Sequence, residues 1–311
     1  MDKQAKIYVA GHRGMVGSAI VRELERKGYT NIIKRTSAEL DLRNQQDVNS
    51  FFSFEKPEYV FLSAARVGGI VANHTYRADF VYDNVMIEAN IIHAAYANNV
   101  KKLLFLGSSC IYPRLAPQPL KEEYLLSGYL EQTNQSYAIA KITGIEMCDA
   151  YRAQYGCDFI SIMPANLYGT NDNYDLEKSH VLPALLRKFI TAVRNDEPNV
   201  TIWGSGTPLR EFLYVDDLAD ACLFLMDRFS GSGPINVGMG EDISILGLAV
   251  MIKKITGFRG EILLDRTRPD GTPRKLMDSS RIHALGWKAR TRLEEGIDAV
   301  YQKMKDNLWD G

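Results

Sequence analysis

Short apolar runs alternate with longer helical patterns over the first half of the chain. The runs that indicate strands are Lys6–Ala10, Asn31–Lys34, Tyr59–Ser63, Leu103–Gly107 and Phe159–Met163. The stretches with helical spacing between them are Gly14–Lys27, Asp79–Asn98 and Tyr137–Tyr155. Such alternation is typical of a parallel sheet covered by helices on both faces. We therefore predict an α/β fold, a Rossmann-type doubly wound parallel sheet.

The rhythm becomes irregular after Pro164, where Gly, Asn, Asp and Pro are frequent. The elements predicted there are a helix at Leu182–Val193, a strand near Val200–Trp203, a helix at Asp216–Phe229 and a strand at Ile235–Val237 that returns to the main sheet. The sequence has no internal repeat and no low-complexity linker. We expect one domain from residues 1–164 plus about 214–240. A smaller irregular α/β lobe would comprise about 165–213 plus 241–311.

The composition argues against several classes of partner. The 311 residues include 37 basic and 38 acidic side chains, for a net charge of −1, which is not the balance of a general nucleic-acid or membrane surface. No apolar stretch reaches about 18 residues, and the start of the chain has no signal-peptide pattern. The four cysteines form no Cys-x-x-Cys pair, so we expect free thiols in the cytoplasm, with neither disulfides nor a metal site.

A glycine-rich loop, Gly11–Gly17, follows the first predicted strand and opens the first helix. Its spacing is Gly-x-x-Gly-x-x-Gly. Glycines at such positions permit a tight turn and let backbone N–H groups approach a pyrophosphate, whose charge also suits a helix N-terminus. The position of the loop, directly after an N-terminal strand, predicts a dinucleotide site.

The end of the second predicted strand indicates which dinucleotide is bound. An acid there accepts hydrogen bonds from a free ribose 2′-hydroxyl, whereas a basic residue suits a 2′-phosphate. The segment contains Lys34 and Arg35 and no acid before Glu39, and Arg13 adds a cation from the glycine loop. The pattern favours NADP over NAD. The alternative is that these are solvated surface charges.

Two neighbouring segments supply groups that handle protons. Ser108 and Cys110 follow the fourth predicted strand, and Tyr137 and Lys141 open the next helix four residues apart, which places them on one face. A Tyr beside a Lys is acidic enough to give and take a proton near neutrality. The additional thiol of Cys110 indicates chemistry that needs more than one acid.

This ordered set of motifs resembles the extended short-chain dehydrogenase/reductase superfamily. Two later landmarks of the superfamily are matched by Pro164–Gly169 and Arg210–Asp217. A closer resemblance, to the epimerase-reductases that act on GDP-4-keto sugars, is carried by Gly107–Pro113, Ser179–Val181, Pro269–Lys275 and Arg66–Ile70. The resemblance covers essentially the whole chain.

The resemblance implies an NADPH-dependent 3,5-epimerisation and 4-keto reduction of GDP-4-keto-6-deoxy-D-mannose. The ketone at C4 acidifies C3 and C5, and the family's acid–base pair for these carbons maps onto Cys110 and His180. Reduction then needs a hydride on C4 and a proton on O4. The resemblance gives the proton to Tyr137, has Lys141 lower the pKa of Tyr137 and hold the nicotinamide ribose, and has Ser108 bind O4.

The resemblance also implies the residues that bind ligands. The expected cofactor residues are Gly11, His12, Arg13, Gly14, Met15, Val16, Gly17, Arg35, Ser37, Asp41, Leu42, Leu106, Gly107, Ser108, Lys141, Pro164, Asn166, Leu167 and His180. The expected residues for the GDP-sugar are Lys188, Trp203, Arg210, Asp270 and Lys275. A homodimer formed through the predicted helices Asp79–Asn98 and Tyr137–Tyr155 is expected on the same ground.

Three alternatives remain open from the sequence. The same chemistry serves other GDP-4-keto sugars, such as a 3-deoxy sugar of the colitose type or a heptose. A nucleotide-sugar 4-epimerase with tightly bound NAD is a second alternative, but it gives no role to Cys110 or His180. The third, a catalytically silent NADP-sensing regulator, disagrees with the intact set of Ser108, Tyr137 and Lys141.

Overall fold

The structure is a computed structural model that describes residues 1–176, 179–268 and 270–305. The remaining positions, residues 177, 178, 269 and 306–311, belong to the lobe expected at about 165–213 plus 241–311. That part of the prediction, including Pro269 of the closer resemblance, therefore lies outside the described residues.

The described residues form twelve strands and ten α-helices. The strands are β1 (Ile7–Ala10), β2 (Ile32–Ile33), β3 (Tyr59–Leu62), β4 (Lys102–Leu106), β5 (Phe159–Pro164), β6 (Asn166–Tyr168), β7 (Asn199–Trp203), β8 (Leu209–Tyr214), β9 (Ile235–Val237), β10 (Asp242–Ser244), β11 (Glu261–Asp265) and β12 (Arg274–Lys275). The helices are α1 (Met15–Arg26), α2 (Gln45–Glu55), α3 (Ile70–Thr75), α4 (Arg77–Ala97), α5 (Gln135–Tyr155), α6 (Val181–Arg194), α7 (Val215–Arg228), α8 (Ile245–Thr256), α9 (Ser280–Ala284) and α10 (Leu293–Met304).

Six strands form one parallel sheet in the order β2-β1-β3-β4-β5-β9. The predicted Rossmann-type sheet is confirmed, and β9 does return to pair with β5. Helices α1 and α7 pack together, as do α4 and α5, and these pairs provide cover for the sheet. Because all six strands run in the same direction, their carboxyl ends share one edge, where ligands of such sheets bind.

The remaining strands form two smaller sheets. In one, β8 lies between β10 and β12 and also pairs with β6, and in the other β7 pairs with β11. A second hydrophobic core, which includes Phe189, Ile202, Leu248 and Ile297, is separate from the core of the six-stranded sheet. Residues of the expected second lobe also contribute to the first core, where Trp287 is buried. The boundaries of the two domains stay a prediction.

Two structural findings concern membranes and metals. Within the described ranges, no helix combines the length and apolar character needed to cross a bilayer. In the same part of the chain, His, Cys, Asp and Glu side chains form no group of three or more that could hold a metal ion.

Candidate active site

The glycine loop forms a close turn between β1 and α1. Gly11 has a φ of +83°, a conformation that favours glycine, and its carbonyl accepts a hydrogen bond of 3.0 Å from Gly14 N–H. A Cβ on Gly17 would collide with the carbonyl of Gly11. No side chain caps the start of α1, and the buried Nδ1 of His12 has no hydrogen-bond partner among the described residues. Uncapped amides and an unpaired buried nitrogen at a positive helix end fit a bound pyrophosphate.

We expect Gly17→Ala to lower the affinity for NADPH by at least about tenfold and stability by about 1–3 kcal/mol, because the added methyl group pushes the backbone of Gly11 out of the turn. A matched control is Gly14→Ala, whose Cβ would lie at an ordinary 3.5 Å from the Gly11 oxygen and should leave stability near that of the wild type. Cofactor titration and urea unfolding measure the two effects. Wild-type NADPH affinity in the Gly17 variant would contradict the assignment of the loop.

The basic residues expected to select NADP differ in their exposure and in their partners. Arg35 is engaged in an ion pair of 2.6 Å with Glu55. Arg13 is exposed beside the start of α1, and Ser37 is also exposed. Arg13 is therefore better placed than Arg35 to meet an added phosphate.

The other expected cofactor residues lie along the carboxyl edge of the sheet or just beyond it. Leu106 and Pro164 end β4 and β5. Asn166 donates a hydrogen bond of 2.8 Å to the carbonyl of Glu211, which fixes β6 against β8. Asp41 pairs with Arg43 at 2.9 Å, and Arg43 lowers the pKa of this carboxyl group.

Ser108 and Tyr137 are brought together at this edge. Ser108 begins a short 3-10 turn, and its Oγ accepts a hydrogen bond of 3.3 Å from the N–H of Cys110. Burial is the main influence on the Tyr137 hydroxyl and raises its pKa well above the ordinary value. The charges of Cys110 and Glu88 act in the same direction, while a hydrogen bond with Ser108 opposes them.

The pairing of Lys141 bears on its expected effect on Tyr137, and the lowering of the Tyr137 pKa by Lys141 stays a prediction. The Lys141 ammonium lies 5.9 Å from the centre of the Tyr137 ring but only 3.2 Å from a carboxylate oxygen of Glu88. Its charge is thus largely balanced by Glu88, and burial dominates the pKa of Tyr137.

Two nitrogen donors converge on the thiol of Cys110. Asn134 Nδ2 lies 3.1 Å from Sγ, and Lys275 Nζ lies 3.8 Å from it. His180 stands at the start of α6. His180 is an exposed residue, and desolvation by the neighbouring protein atoms, followed by the charge of the Lys275 ammonium, lowers its pKa. Near neutral pH the site therefore holds a neutral imidazole, able to accept a proton, and a sulphur surrounded by donors.

We expect Lys275→Met to raise the pKa of His180, because a positive charge that disfavours the imidazolium is removed. Proton NMR titration of the His180 ring measures the shift. The neighbouring Arg274, held 2.5 Å from Asp242, offers the control Arg274→Gln, which should leave the His180 pKa in place. An unchanged His180 pKa in Lys275→Met would show that the Lys275 ammonium does not act on the His180 ring.

A row of side chains leads from Cys110 to a polar loop. Lys275 on β12 is paired in register with Arg210 on β8. Burial lowers the pKa of Arg210, whereas Asp270 opposes this effect. Asp270 in turn accepts a hydrogen bond of 2.9 Å from the N–H of Ser205. Arg210 and Lys275 are thus adjacent cations beside an ordered loop, an arrangement that suits a diphosphate.

Trp203, at the end of β7, has two cations near its ring. Lys188 Nζ is 5.5 Å from its ring centre, and the Arg268 guanidinium is 4.9 Å away on the same measure. Lys188 also donates a hydrogen bond of 2.9 Å to the carbonyl of Thr201. Since Trp203 keeps 48% of its surface exposed, the indole can still stack on an aromatic ligand.

The fold and these residues define a dinucleotide-dependent enzyme of the extended short-chain dehydrogenase/reductase type. Residues 7–238 match the model of the NAD dependent epimerase/dehydratase family. The chain belongs to this family. It is 58% identical to "Putative GDP-L-fucose synthase 2" of Arabidopsis thaliana over 308 residues, which cover 99% of this chain and 94% of the relative.

Two solved structures are also similar over nearly the full length. A GDP-6-OMe-4-keto-L-xylo-heptose reductase from C. jejuni is 44% identical, with a TM-score of 0.92, and the match covers 98% of this chain and 99% of that one. A GDP-L-fucose synthetase from Naegleria fowleri bound to NADP is 30% identical, with a TM-score of 0.90, and the match covers 97% of this chain and 94% of that one.

Three residues of this region were not predicted from the sequence. Asn134 contacts the Cys110 sulphur, Glu88 contacts Lys141, and Arg268 covers Trp203. Asn134 stands three residues before Tyr137, so its place at the start of the same helix was a usable signal. Glu88 and Arg268 are far in sequence from their partners, and only the fold brings them there.

Proposed function

We propose that this chain catalyses the NADPH-dependent 3,5-epimerisation and 4-keto reduction of GDP-4-keto-6-deoxy-D-mannose to GDP-L-fucose. The observation that carries the proposal is the placement of the Cys110 thiol, with its donors Asn134 and Lys275, directly beside Ser108 and Tyr137. A reductase of this type needs only the Ser, Tyr and Lys. The names of the relatives agree with the added step.

Epimerisation uses Cys110 and His180 as the acid–base pair. One group removes the proton from C3 or C5, and the electron pair moves toward O4 to give an enolate. The other group returns a proton to the opposite face of the same carbon. Asn134 and Lys275 place two nitrogen donors against the sulphur, and the lowered pKa of His180 keeps its ring ready to accept a proton. The hydroxyls of Ser108 and Tyr137 are the donors available to the developing charge on O4.

Reduction uses the same hydroxyls. The residues of the glycine loop would hold the pyrophosphate of NADP(H), and Arg13 would meet its 2′-phosphate. When bound, the cofactor supplies a hydride to C4. Tyr137 gives its proton to O4, and its raised pKa keeps the phenol protonated until the ketone is in place. Ser108 orients O4, and Lys141 holds the nicotinamide ribose.

The nucleotide part of the substrate would occupy the row of side chains beyond Cys110. Arg210 and Lys275, adjacent on β8 and β12, supply the cations for the diphosphate. Trp203, which keeps 48% of its surface exposed and has Lys188 and Arg268 near its ring, offers an aromatic surface to the guanine base. Asp270 keeps the intervening loop in place.

The proposal extends to a homodimer in the cytoplasm. Helices α4 and α5 pack together and carry exposed apolar side chains, among them Tyr82, Ile139 and Tyr155. A second copy covering this face would bury them. The four cysteines are free thiols, which suits a reducing compartment. Light scattering of the purified chain tests the dimer.

The experiment that tests the function is a mixture of the protein with GDP-4-keto-6-deoxy-D-mannose and NADPH. We expect the absorbance of NADPH to fall and GDP-L-fucose to form. The corresponding UDP-sugar is the matched control, because it differs from the proposed substrate only in the nucleotide base. Absence of NADPH oxidation with the GDP-sugar would contradict the proposal.

A second candidate is the same reaction on a GDP-4-keto-heptose. The observation that favours it is the 44% identity with the C. jejuni heptose reductase over 98% of this chain. The ratio of kcat/KM for the two substrates decides between them. We expect the 6-deoxyhexose to be preferred, because relatives with the higher identity, 58%, carry the fucose synthase name.

A further inference from the structure

A buried carboxylate, that of Glu88, lies beneath Tyr137 and Lys141. Glu88 is part of α4, which packs against α5, and its side chain is fully buried. Its Oε1 is 3.2 Å from the ammonium of Lys141, and only 2% of the Lys141 side chain is exposed. Burying either charge alone would be very costly, so each requires the other.

The fold leaves room for this carboxylate. Gly144 follows Lys141 by three residues on α5, and a Cβ at Gly144 would lie 3.0 Å from Oε2 of Glu88 and would collide with the ring of Phe105. Neither oxygen of Glu88 meets hydrogen-bond geometry with a partner in the described part of the chain. The ammonium of Lys141 and the backbone N–H of Gly144 are nevertheless close enough to act on this carboxylate, and both favour its charged form.

The charge of Glu88 also acts on the proton donor. Burial raises the pKa of Glu88 in spite of Lys141, and the negative charge of Glu88 contributes to the raised pKa of Tyr137. The other groups that act on Tyr137 are Cys110 and Ser108, as described above. Glu88, on α4, faces three groups on α5: the ammonium of Lys141, the hydroxyl of Tyr137 and the thiol of Cys148. Burial raises the pKa of Cys148 and keeps this thiol neutral.

We propose that Glu88 is a positioning residue, which fixes the Lys141 ammonium beneath Tyr137 and balances its charge so that Tyr137 keeps the proton destined for O4. This inference rests on the proposed reduction. It adds to the three hydroxyl and amine groups a fourth, buried member that contacts neither substrate nor cofactor. Its effect on the reaction passes entirely through Lys141 and Tyr137.

The first test is the pH profile of Glu88→Gln, which keeps the volume and removes the charge. Because the phenolate is then less disfavoured, Tyr137 loses its proton at lower pH. We expect the alkaline limb of kcat for NADPH oxidation to move down by about one pH unit or more. Glu88→Asp keeps the charge but withdraws it from Lys141, so its limb should stay in place while kcat falls by about tenfold to a hundredfold.

The second readout needs no cofactor. An acid with a raised folded pKa binds more protons in the native than in the unfolded state, between its ordinary value of 4.5 and the higher folded value. Stability therefore falls as pH rises through this range. Urea unfolding of the wild type should show this fall, and Glu88→Gln should show a smaller one.

A control uses another partly buried pair. Lys102 and Asp158 lie 3.4 Å apart at the amino end of β4, away from the site. Asp158→Asn should lower stability and leave the alkaline limb unchanged. If Glu88→Gln has the same alkaline limb and the same kcat as the wild type, the proposal is overturned. If that variant does not fold, wild-type kcat in Glu88→Asp would overturn it.

The two proposals fail in different ways. If the wild-type chain oxidises no NADPH, the proposed function is excluded. The pH dependence of urea unfolding in the wild type and in Glu88→Gln then tests the pairing of Glu88 with Lys141. Equal pH dependence of unfolding in the wild type and Glu88→Gln overturns the role of Glu88. A wild type that reduces the sugar beside an unaffected Glu88→Gln variant overturns the role of Glu88 alone.

Discussion

Tyr137→Phe should lower kcat for NADPH oxidation by about a thousandfold, because the reduction loses the group that protonates O4. Exchange of the C3 and C5 protons should slow by less than about tenfold, since Ser108 remains to support charge on O4. Stopped-flow absorbance measures the first rate, and NMR of the sugar in deuterated water measures the second.

The chain offers a matched control in Tyr112, a buried tyrosine that also follows β4. Its hydroxyl donates a hydrogen bond of 2.6 Å to Asn236 rather than facing the proposed reacting atoms. Tyr112→Phe should cost stability and leave kcat within about threefold of the wild type. NADPH oxidation at the wild-type rate in Tyr137→Phe would remove the phenol from the mechanism.

Cys110→Ser should abolish epimerisation, lowering the rate of exchange at C3 and C5 by at least about a hundredfold, because a serine hydroxyl holds its proton far more tightly than a thiol. NADPH binding should be retained, since Cys110 is not part of the glycine loop that is proposed to hold the cofactor. Any slow reduction that persists should give a sugar that is not inverted at C3 or C5. NMR of the product tests both statements.

The control for this variant is Cys157→Ser, a partly buried free thiol after the end of α5. It should keep wild-type exchange and reduction. Full exchange at both carbons in Cys110→Ser would show that the thiol is not part of the acid–base pair.

The main sheet was predictable because its strands are almost wholly buried. In β4 and β5 every residue is buried, so the sequence shows continuous apolar runs separated by helical spacing. The edge strand β2 is shorter than predicted, because only Ile32 and Ile33 pair with β1 before the chain leaves the sheet. The amino acids of this segment do not show where its pairing with β1 stops.

Several helices and the small sheets were missed for local reasons. Helix α2 buries only Val48 and Phe52, so its apolar spacing is weak, although Asn44 caps it with two hydrogen bonds. Helix α8 is apolar on most sides, but Ser244 and Gly257 mark its ends. Strands such as β12 are two residues long and exist only through partners distant in sequence.

The site was predictable as a set of residues but not as a set of contacts. The order of the glycine loop, Ser108, Tyr137 and Lys141 can be read along the chain. The pairing of Lys141 with Glu88 depends on how α5 packs against α4, and that of Arg35 with Glu55 on where α2 ends relative to β2. These two contacts changed the expected electrostatics most, because both place a carboxylate against a cation that was expected to act alone.

The central claim is that one site inverts C3 and C5 before it reduces C4. The most direct measurement is to incubate the wild-type chain with GDP-4-keto-6-deoxy-D-mannose and NADPH in deuterated water and to locate deuterium in the product by NMR. The account predicts GDP-L-fucose with deuterium at both C3 and C5, together with oxidation of NADPH. A reduced sugar that carries no deuterium at these carbons would contradict it.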